Sequence, residues 1–228
     1  MPTPTLSDIA AFLLWYSLAF ATLGLAEWLH RQRGWSPGAT RKLIHITAGC
    51  SIFVILGLFD HPSFGIIPFA GFIFFNYWFR RRRTFKGMDS AQASYGTVYF
   101  ALSITILLAW LWRRSASDRS ALAAAAIMIM TWGDAAAALI GQRLGQRRDR
   151  IWGQSRTLEG SATMLAVSLV ASTSTLSLYG DVAVRPALAW SLTAAVVATL
   201  VEGFSPQGLD NLTVPLVTGL VFVFLAGS

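Results

Sequence analysis

The sequence predicts an all-α membrane protein, a polytopic bundle of about eight transmembrane helices that forms one domain over residues 1–228. The chain is 54% hydrophobic and 13% charged, whereas a soluble domain of this size carries roughly 25% charged residues. Apolar runs close to the ~20 residues that cross a bilayer recur along the whole chain. These runs do not alternate apolar and polar residues, as the strands of a membrane barrel do.

Eight apolar segments are expected to form the helices. In chain order they are Ile9–Leu29, Leu43–Phe59, Ser63–Phe79, Tyr95–Trp112, Ser120–Gln142, Gly160–Tyr179, Pro186–Val201 and Leu212–Ala226. Several are shorter than ~20 residues, which leaves room for tilt or partial insertion. We see no internal repeat and no second domain.

The basic residues are distributed unevenly between the loops. Most of the 18 Lys and Arg residues follow the first, third and fifth segments. Because basic loops face the cytoplasm, this asymmetry places both termini on the non-cytoplasmic side. It also explains the net charge of +7 without a nucleic-acid partner. A single cysteine, Cys50, excludes internal disulfides and multi-cysteine metal sites. The oligomeric state stays open.

One carboxylate, Asp134, stands inside the fifth segment. An ionised carboxylate at membrane depth costs at least ~2.5–3.5 kcal/mol, so it needs a cation, a metal, water or the bundle interior. A salt bridge to an arginine of a neighbouring helix is the simple alternative to a functional role. Small residues recur every fourth place around it, at Gly133, Ala137, Gly141 and Gly145. Such a stripe lets helices pack closely and would hold Asp134 in a fixed place.

Further acids and amides fall on the same predicted side of the membrane. They are Glu159, Glu202, Asp210 and Asn211. Oxygen ligands of this kind suit a magnesium ion bridged to phosphates. Simpler interpretations stay open for two of them, since Asp210 could cap the last helix and Glu202 could be an interfacial charge.

Basic residues that could hold phosphates flank these acids. Five arginines surround the loop after the fifth segment, namely Arg143, Arg147, Arg148, Arg150 and Arg156. Guanidinium groups bind phosphate in a bidentate manner, although anchoring at the membrane face explains them too. Arg41 and His45 share one face of the second segment by their i, i+4 spacing, with Lys42 beside them. His45 could also be an ordinary buried histidine.

Magnesium-binding acids and phosphate-binding arginines beside a lipid-embedded bundle indicate phosphoryl or nucleotidyl transfer to a lipid. The sequence has neither a G-x-x-x-x-G-K-[ST] nor a G-x-G-x-x-G nucleotide motif, so its nucleotide site must have another design. A cytidylyltransferase that forms a CDP-lipid is the nearest alternative. A transporter is less favoured, because carriers have midplane sites and inverted repeats.

Five motifs, taken together, resemble those of the polyprenol kinase family, which includes dolichol kinases, phytol kinases and CTP-using diacylglycerol kinases. They are "RKLIH", "YGTVYF", "GDAAAALIGQRLG", "RTLEGS" and "DNLTVPL", in that order. The resemblance covers roughly residues 41–216 as a catalytic core and leaves residues 1–40 as a peripheral first helix and loop. "DNLTVPL" favours the phytol kinase branch.

The resemblance implies magnesium-dependent transfer of the γ-phosphate of CTP, or sometimes UTP, to a prenyl alcohol such as phytol, geranylgeraniol or dolichol. The alcohol would enter from the bilayer, and the site would lie on the cytoplasmic side of the cell (inner) membrane. By matching positions, Asp134 and Asp210 would bind the metal, and His45 would contact phosphates or order the site. Asp134, Glu202 and His45 are the expected catalytic residues, with Asp134 or Glu202 as the base that accepts the proton of the alcohol. The nucleotide would contact Arg41, Lys42, Arg147, Arg148, Arg156, Thr157, Glu159, Gly160 and Asn211. Arg156 stands where the family usually has lysine.

Overall fold

The computed structural model describes residues 3–82, 95–145, 148–151, 154–206 and 208–227, with only the backbone of 148–151 and 154–155. Ten α-helices form in these residues: α1 Leu6–Arg33, α2 Pro37–Cys50, α3 Ile52–Leu58, α4 Pro62–Arg82, α5 Gly96–Leu111, α6 Ser120–Met128, α7 Ala135–Leu144, α8 Leu158–Leu178, α9 Val184–Phe204 and α10 Asp210–Gly227. A π-helical segment, Ile129–Asp134, joins α6 to α7, and a hairpin of β1 (Arg148–Ile151) and β2 (Gln154–Thr157) precedes α8.

The predicted helical membrane bundle is confirmed. Each of the eight predicted segments is helical in the structure. Within the described residues, seven spans are long and apolar enough to cross a membrane by length and composition. The eighth apolar helix, α5, has 16 residues. The predicted count of about eight is therefore close.

The span formed by α6, the π-helical segment and α7 lies at the centre of the bundle. Residues Ala123–Ile127 of α6 are fully buried, and α5, α8 and α10 pack around this span. Small side chains allow such close approach between membrane helices. Large apolar side chains such as Phe74, Leu178 and Phe224 point outward instead, which is the surface expected of a bundle solvated by lipid.

The second predicted segment is two helices that meet at Ser51. The Ser51 hydroxyl donates to the carbonyl of Ala48, 2.7 Å away, and hydroxyls that bond back in this way often bend helices. The indole Nε1 of Trp15 in turn donates to Ser51 Oγ at 3.0 Å, and both side chains are buried. The bend is therefore tied to α1.

The π-helical segment has no counterpart in the sequence prediction, which expected one regular helix. A π-helix adds a residue to a helical turn and occurs frequently at functional sites. Here it ends at Asp134. The local widening therefore coincides with the one carboxylate that the sequence places inside this span.

The hairpin is a second feature that the sequence did not predict, because a plain basic loop was expected there. Its strands, "RDRI" and "QSRT", lack the β-branched and aromatic composition that usually indicates a strand. The strands pair antiparallel, with Asp149 opposite Arg156. Since β2 runs directly into α8, the hairpin fixes Arg156 at the start of that helix.

Candidate active site

A cavity of about 280 Å³ lies between α1, α2, α4 and α5. Its wall is largely apolar and includes Trp15, Leu18, Ala19, Phe69, Phe72 and Ile104. One end is polar instead and is formed by Arg41, Lys42, His45, Asp134 and Asn211. Apolar pockets with a few convergent polar groups are the usual form of small-molecule sites.

Asp134 lies in this polar end and pairs with Lys42. The Lys42 ammonium contacts the Asp134 carboxylate and also donates to the Asp134 backbone carbonyl at 3.2 Å. The two side chains are 23% and 17% exposed, so neither is sealed in the protein interior. An arginine was the predicted salt-bridge partner of Asp134, but its partner in the structure is a lysine, at the position after Arg41 on α2.

His45 is fixed beside this pair. Its Nε2 lies 3.2 Å from the backbone carbonyl of Met130 and 3.8 Å from Asp134 Oδ2. The imidazole ring packs against Phe100, with ring centroids 4.2 Å apart. These contacts hold the imidazole at the polar end of the cavity.

A glycine allows α2 to approach the π-helical segment closely enough for these contacts. Gly49 is buried, and a Cβ at this position would collide with the side chain of Thr131. Without a side chain at Gly49, α2 lies directly against the turn that leads to Asp134. Lys42 and His45 reach Asp134 for this reason.

A second charged group forms around Arg156. Its guanidinium contacts the Glu202 carboxylate, and Nη2 lies 3.8 Å from Asp210 Oδ2. Glu202 and Asp210 are both buried. Nη2 is itself buried and makes no hydrogen bond within the described residues, and its ion pair with Asp210 is long.

The structure brings the two charged groups together. Asp134 and Asn211 line the same cavity, and Asp210 lies within electrostatic range of both Asp134 and Arg156. Asp210 also accepts hydrogen bonds from the backbone N–H and side-chain amide of Asn211, each at 3.0 Å. Asp134, Glu202 and the Asp210–Asn211 pair, predicted on separate segments, therefore meet at one end of the bundle.

The donor set fits a magnesium ion whose remaining ligands come from phosphate and water. No group of three or more His, Cys, Asp or Glu side chains with metal-binding geometry occurs within the described residues. Magnesium, however, is usually held by one or two carboxylates together with substrate phosphates. Asp134 and Asp210 supply two such carboxylates, and each already lies beside one cationic side chain.

Thr157 and Gly160 have local structural roles. The Thr157 hydroxyl accepts from the Gly160 N–H at 3.0 Å and caps the N-terminus of α8. A Cβ at Gly160 would lie 3.2 Å from the carbonyl oxygen of Ala137. Glu159 sits in the first turn of α8 and is exposed in part. Contact of these three residues with a nucleotide stays a prediction.

Two of the predicted nucleotide contacts fall where the structure gives no side chain. Arg147 lies outside the described residues, and only the backbone of Arg148 is described, in β1. Arg41 lines the cavity. The cavity wall formed by α1 and α4 was not anticipated, since apolar residues in a membrane span carry no sign of whether they face lipid or a substrate.

The chain is similar along nearly its whole length to curated phytol kinases. A phytol kinase of Synechocystis sp. is 33% identical, over 96% of this chain and 94% of the relative. The chain belongs to the phytol kinase family. Probable chloroplastic phytol kinases of Oryza sativa and Glycine max are 28% and 25% identical, over 75% and 72% of their own lengths. No protein-family model and no solved structure matches the chain.

Membership of the phytol kinase family makes this chain a phosphotransferase with an alcohol acceptor. The predicted resemblance to the phytol kinase branch is thereby confirmed. The kinase class implies a nucleotide as phosphate donor, and the apolar helices agree with an integral membrane protein. The polar end of the cavity is where both substrates of such an enzyme could meet.

Proposed function

We propose that this protein is a CTP-dependent kinase of phytol or a related long-chain prenyl alcohol. The observation that carries the proposal is an apolar cavity that ends at Lys42, His45 and Asp134. This arrangement brings the hydroxyl of a lipid-soluble alcohol to charged groups while its chain stays in an apolar wall. Relatives named phytol kinase support phytol as the acceptor, and the resemblance to polyprenol kinases supports CTP as the donor.

The phosphates of the donor bind between the two charged groups. Arg41 and Lys42 approach from α2, and Arg156 approaches from the hairpin. The unsatisfied Nη2 donor of Arg156 is the strongest support for this assignment, because buried donors normally have an acceptor. A phosphate oxygen would be that acceptor.

Asp134 and Asp210 hold a magnesium ion in this proposal. The ion supplies positive charge against the charge that develops on the transferred phosphoryl group. Lys42 and Arg156 keep the two carboxylates close together, since the carboxylates would otherwise repel each other. The catalytic power of this chain then comes mainly from positioning.

His45 receives the proton of the acceptor hydroxyl. It lines the cavity, and a hydrogen bond from Nε2 to the Met130 carbonyl leaves Nδ1 as a proton acceptor. The two carboxylates predicted as candidate bases are less suited: Asp134 pairs with Lys42 and is assigned to the metal, and Glu202 pairs with Arg156 and is not among the residues that line the cavity. The expected role of Glu202 is to orient Arg156.

The polar end of the cavity is proposed to face the cytoplasm, with both termini on the other side. The support is the uneven distribution of basic residues between the loops. Cysteine-labelling of loops from each side of inverted vesicles tests this placement. Labelling of the basic loops from the outside of intact cells would contradict it.

The decisive experiment offers γ-labelled CTP, UTP or ATP, with phytol, geranylgeraniol or dolichol, to purified protein in the presence of Mg²⁺ or EDTA. Labelled phytyl phosphate with release of CDP, abolished by EDTA, is the expected result. Release of pyrophosphate when phosphatidic acid is offered in place of the alcohol would identify a cytidylyltransferase instead. Preference for ATP would refute the assignment of CTP as the phosphate donor. Activity in the presence of EDTA would refute the requirement for a divalent metal ion.

A further inference from the structure

The first helix contributes a continuous stripe to the cavity wall, a feature that the phosphate chemistry does not use. The residues of α1 that line the cavity are Trp15, Leu18, Ala19, Thr22 and Leu23. Their spacing of three and four residues is one face of a helix. The first helix therefore lines the cavity, although residues 1–40 were predicted to be peripheral to the catalytic core.

The far end of the cavity is closed by rigid aromatic side chains. The ring of Trp15 packs edge-on against Phe69 and Phe72, with centroids 5.0 and 5.2 Å apart. The hydrogen bond from Trp15 Nε1 to Ser51 Oγ fixes the indole further. The hydrocarbon chain of an alcohol whose hydroxyl lies at the polar end therefore reaches a fixed indole ring at Trp15.

The cavity is too short for a whole long-chain alcohol. Lys42 and Ser51 both line it and lie nine residues apart, which is about 13 Å of helix at 1.5 Å per residue. This is less than half of the ~30 Å hydrocarbon core. The cavity therefore holds the units of the chain nearest the hydroxyl, and the rest of a long chain must leave it.

The α1 residues that line the cavity differ in exposure. Leu18 lines the cavity and, at 37%, is the most exposed of the α1 residues that do so. At the polar end, the exposed lining residues are Gly38 and Gln142. The cavity thus borders lipid at Leu18 and water at its polar end.

We infer that α1 is the acceptor-selecting helix: Trp15, Ala19 and Thr22 bind the isoprenoid units that follow the hydroxyl-bearing unit inside the cavity, and the remaining chain passes to the bilayer beside Leu18. This inference rests on the proposed function. The enzyme is then selective for the isoprenoid units of the alcohol that lie inside the cavity and tolerant of variation in the units beyond it. Dispersion contacts with branched isoprene units supply the selectivity.

The test narrows the cavity and compares a long with a short acceptor. Ala19→Phe places a ring in the cavity, and Ala21→Phe, two residues away on the exposed face of α1, is the matched control. For Ala19→Phe we expect kcat/KM for geranylgeraniol to fall about tenfold or more, in the range of pocket contacts of this size. With prenol, which has the same allylic hydroxyl but a single isoprene unit, kcat/KM should change less than about twofold. Ala21→Phe should change neither.

Each outcome separates this inference from the proposed function. Equal losses with both alcohols, or equal effects of Ala19→Phe and Ala21→Phe, would overturn the role of α1 while the kinase activity stands. Wild-type protein that phosphorylates no alcohol would overturn the proposed function itself. If Ala19→Phe does not fold, Thr22→Leu must show the same selective loss for geranylgeraniol, and its absence there overturns the inference.

Discussion

Two aspartates lie at opposite ends of the bundle, and their surroundings differ. Asp8, in the first turn of α1, has a side chain that is 1% exposed. Its carboxylate accepts from the backbone N–H groups of Asp60 and His61, at 2.9 and 3.2 Å. It also accepts from the N–H of Thr5 at 3.1 Å and lies 2.7 Å from His61 Nδ1. Together these partners fasten the loop before α4 to the start of α1.

Asp134 has the opposite kind of environment. Its carboxylate is contacted by Lys42 and lies 3.8 Å from His45, and its side chain is 17% exposed at a cavity. Its partners are ionisable side chains on another helix, which can be rearranged when a ligand enters. Neighbouring Asp210 and Arg156 add further charge of both signs.

The comparison shows that burial alone does not identify a functional carboxylate. A carboxylate saturated by backbone donors is a structural link, because its lone pairs are already used. A carboxylate that faces a cavity and is held by cationic side chains retains the capacity to bind a metal or a substrate. Substitutions at Asp8, at Asp134 and at their neighbours test this contrast.

The largest effect is expected from replacing Asp134 with asparagine. Formation of labelled lipid should fall by about 100-fold or more, as when a preorganised charged group is removed from an active site. The melting temperature in detergent should stay near that of the wild type, because the amide keeps the shape of the side chain. Asp8→Asn is the matched control and should keep most of the activity per folded molecule. If the Asp134→Asn variant forms labelled lipid at the wild-type rate, the assignment of Asp134 as a metal ligand is wrong.

Arg156→Met is expected to weaken mainly the binding of CTP, the phosphate donor. The substitution removes the guanidinium from Glu202 and Asp210. It also deletes the charged hydrogen bond that Arg156 is proposed to donate to a phosphate of CTP, worth about 1.5–3 kcal/mol, so the KM for CTP should rise roughly tenfold to hundredfold. Arg156→Lys should recover part of this loss, because the charge is kept without the planar fork.

Arg156→Met also leaves two carboxylates without their cation, which can destabilise the fold. The double variant Arg156→Met, Glu202→Gln removes one of those charges and serves as the stability control. If the double variant regains both stability and the wild-type KM for CTP, Arg156 has only a structural role.

The fold could be predicted from the sequence because membrane helices are specified by apolar length, which a single chain displays directly. The helix contact formed by the stripe of small residues around Asp134 could also be predicted from the sequence. Gly133 faces Met164 and Ser168 of α8, and a Cβ at Gly141 would lie 3.5 Å from the Cα of Gly160. Small residues at this spacing mark a helix contact wherever they occur.

The partners of Asp134 could be named only as a group. Lys42 and Arg41 are adjacent in the sequence, and which of them reaches the carboxylate depends on the rotation of α2, which Gly49 and Thr131 set by close approach. The residues that form the cavity wall could not be predicted from the sequence for another reason. Trp15 and the lipid-facing Leu14 are both large apolar residues of one helix, and their chemistry does not reveal which one faces a ligand.

Asp8→Asn is expected to lower stability more than activity. The amide can accept but no longer carries charge, and its NH₂ meets the N–H donors of Thr5, Asp60 or His61. Weakening buried hydrogen bonds to a charged group in this way costs about 1–3 kcal/mol. Thermal or denaturant unfolding in detergent measures the loss. An intact unfolding free energy combined with lost kinase activity would instead give Asp8 a functional role.

The smallest effects are expected from two helix caps, one at each end of the bundle. Thr5 caps α1 beside Asp8, and Thr157 caps α8 beside Arg156. Each hydroxyl accepts a backbone N–H, at 3.1 and 3.0 Å, so Thr5→Val and Thr157→Val should each cost about 1 kcal/mol of unfolding free energy. Thr5→Val should leave the KM for CTP unchanged, and so should Thr157→Val if the Thr157 hydroxyl serves only its cap. A KM raised by Thr157→Val and unchanged by Thr5→Val would place Thr157 in contact with the nucleotide and extend the reactive end of the bundle to the first turn of α8.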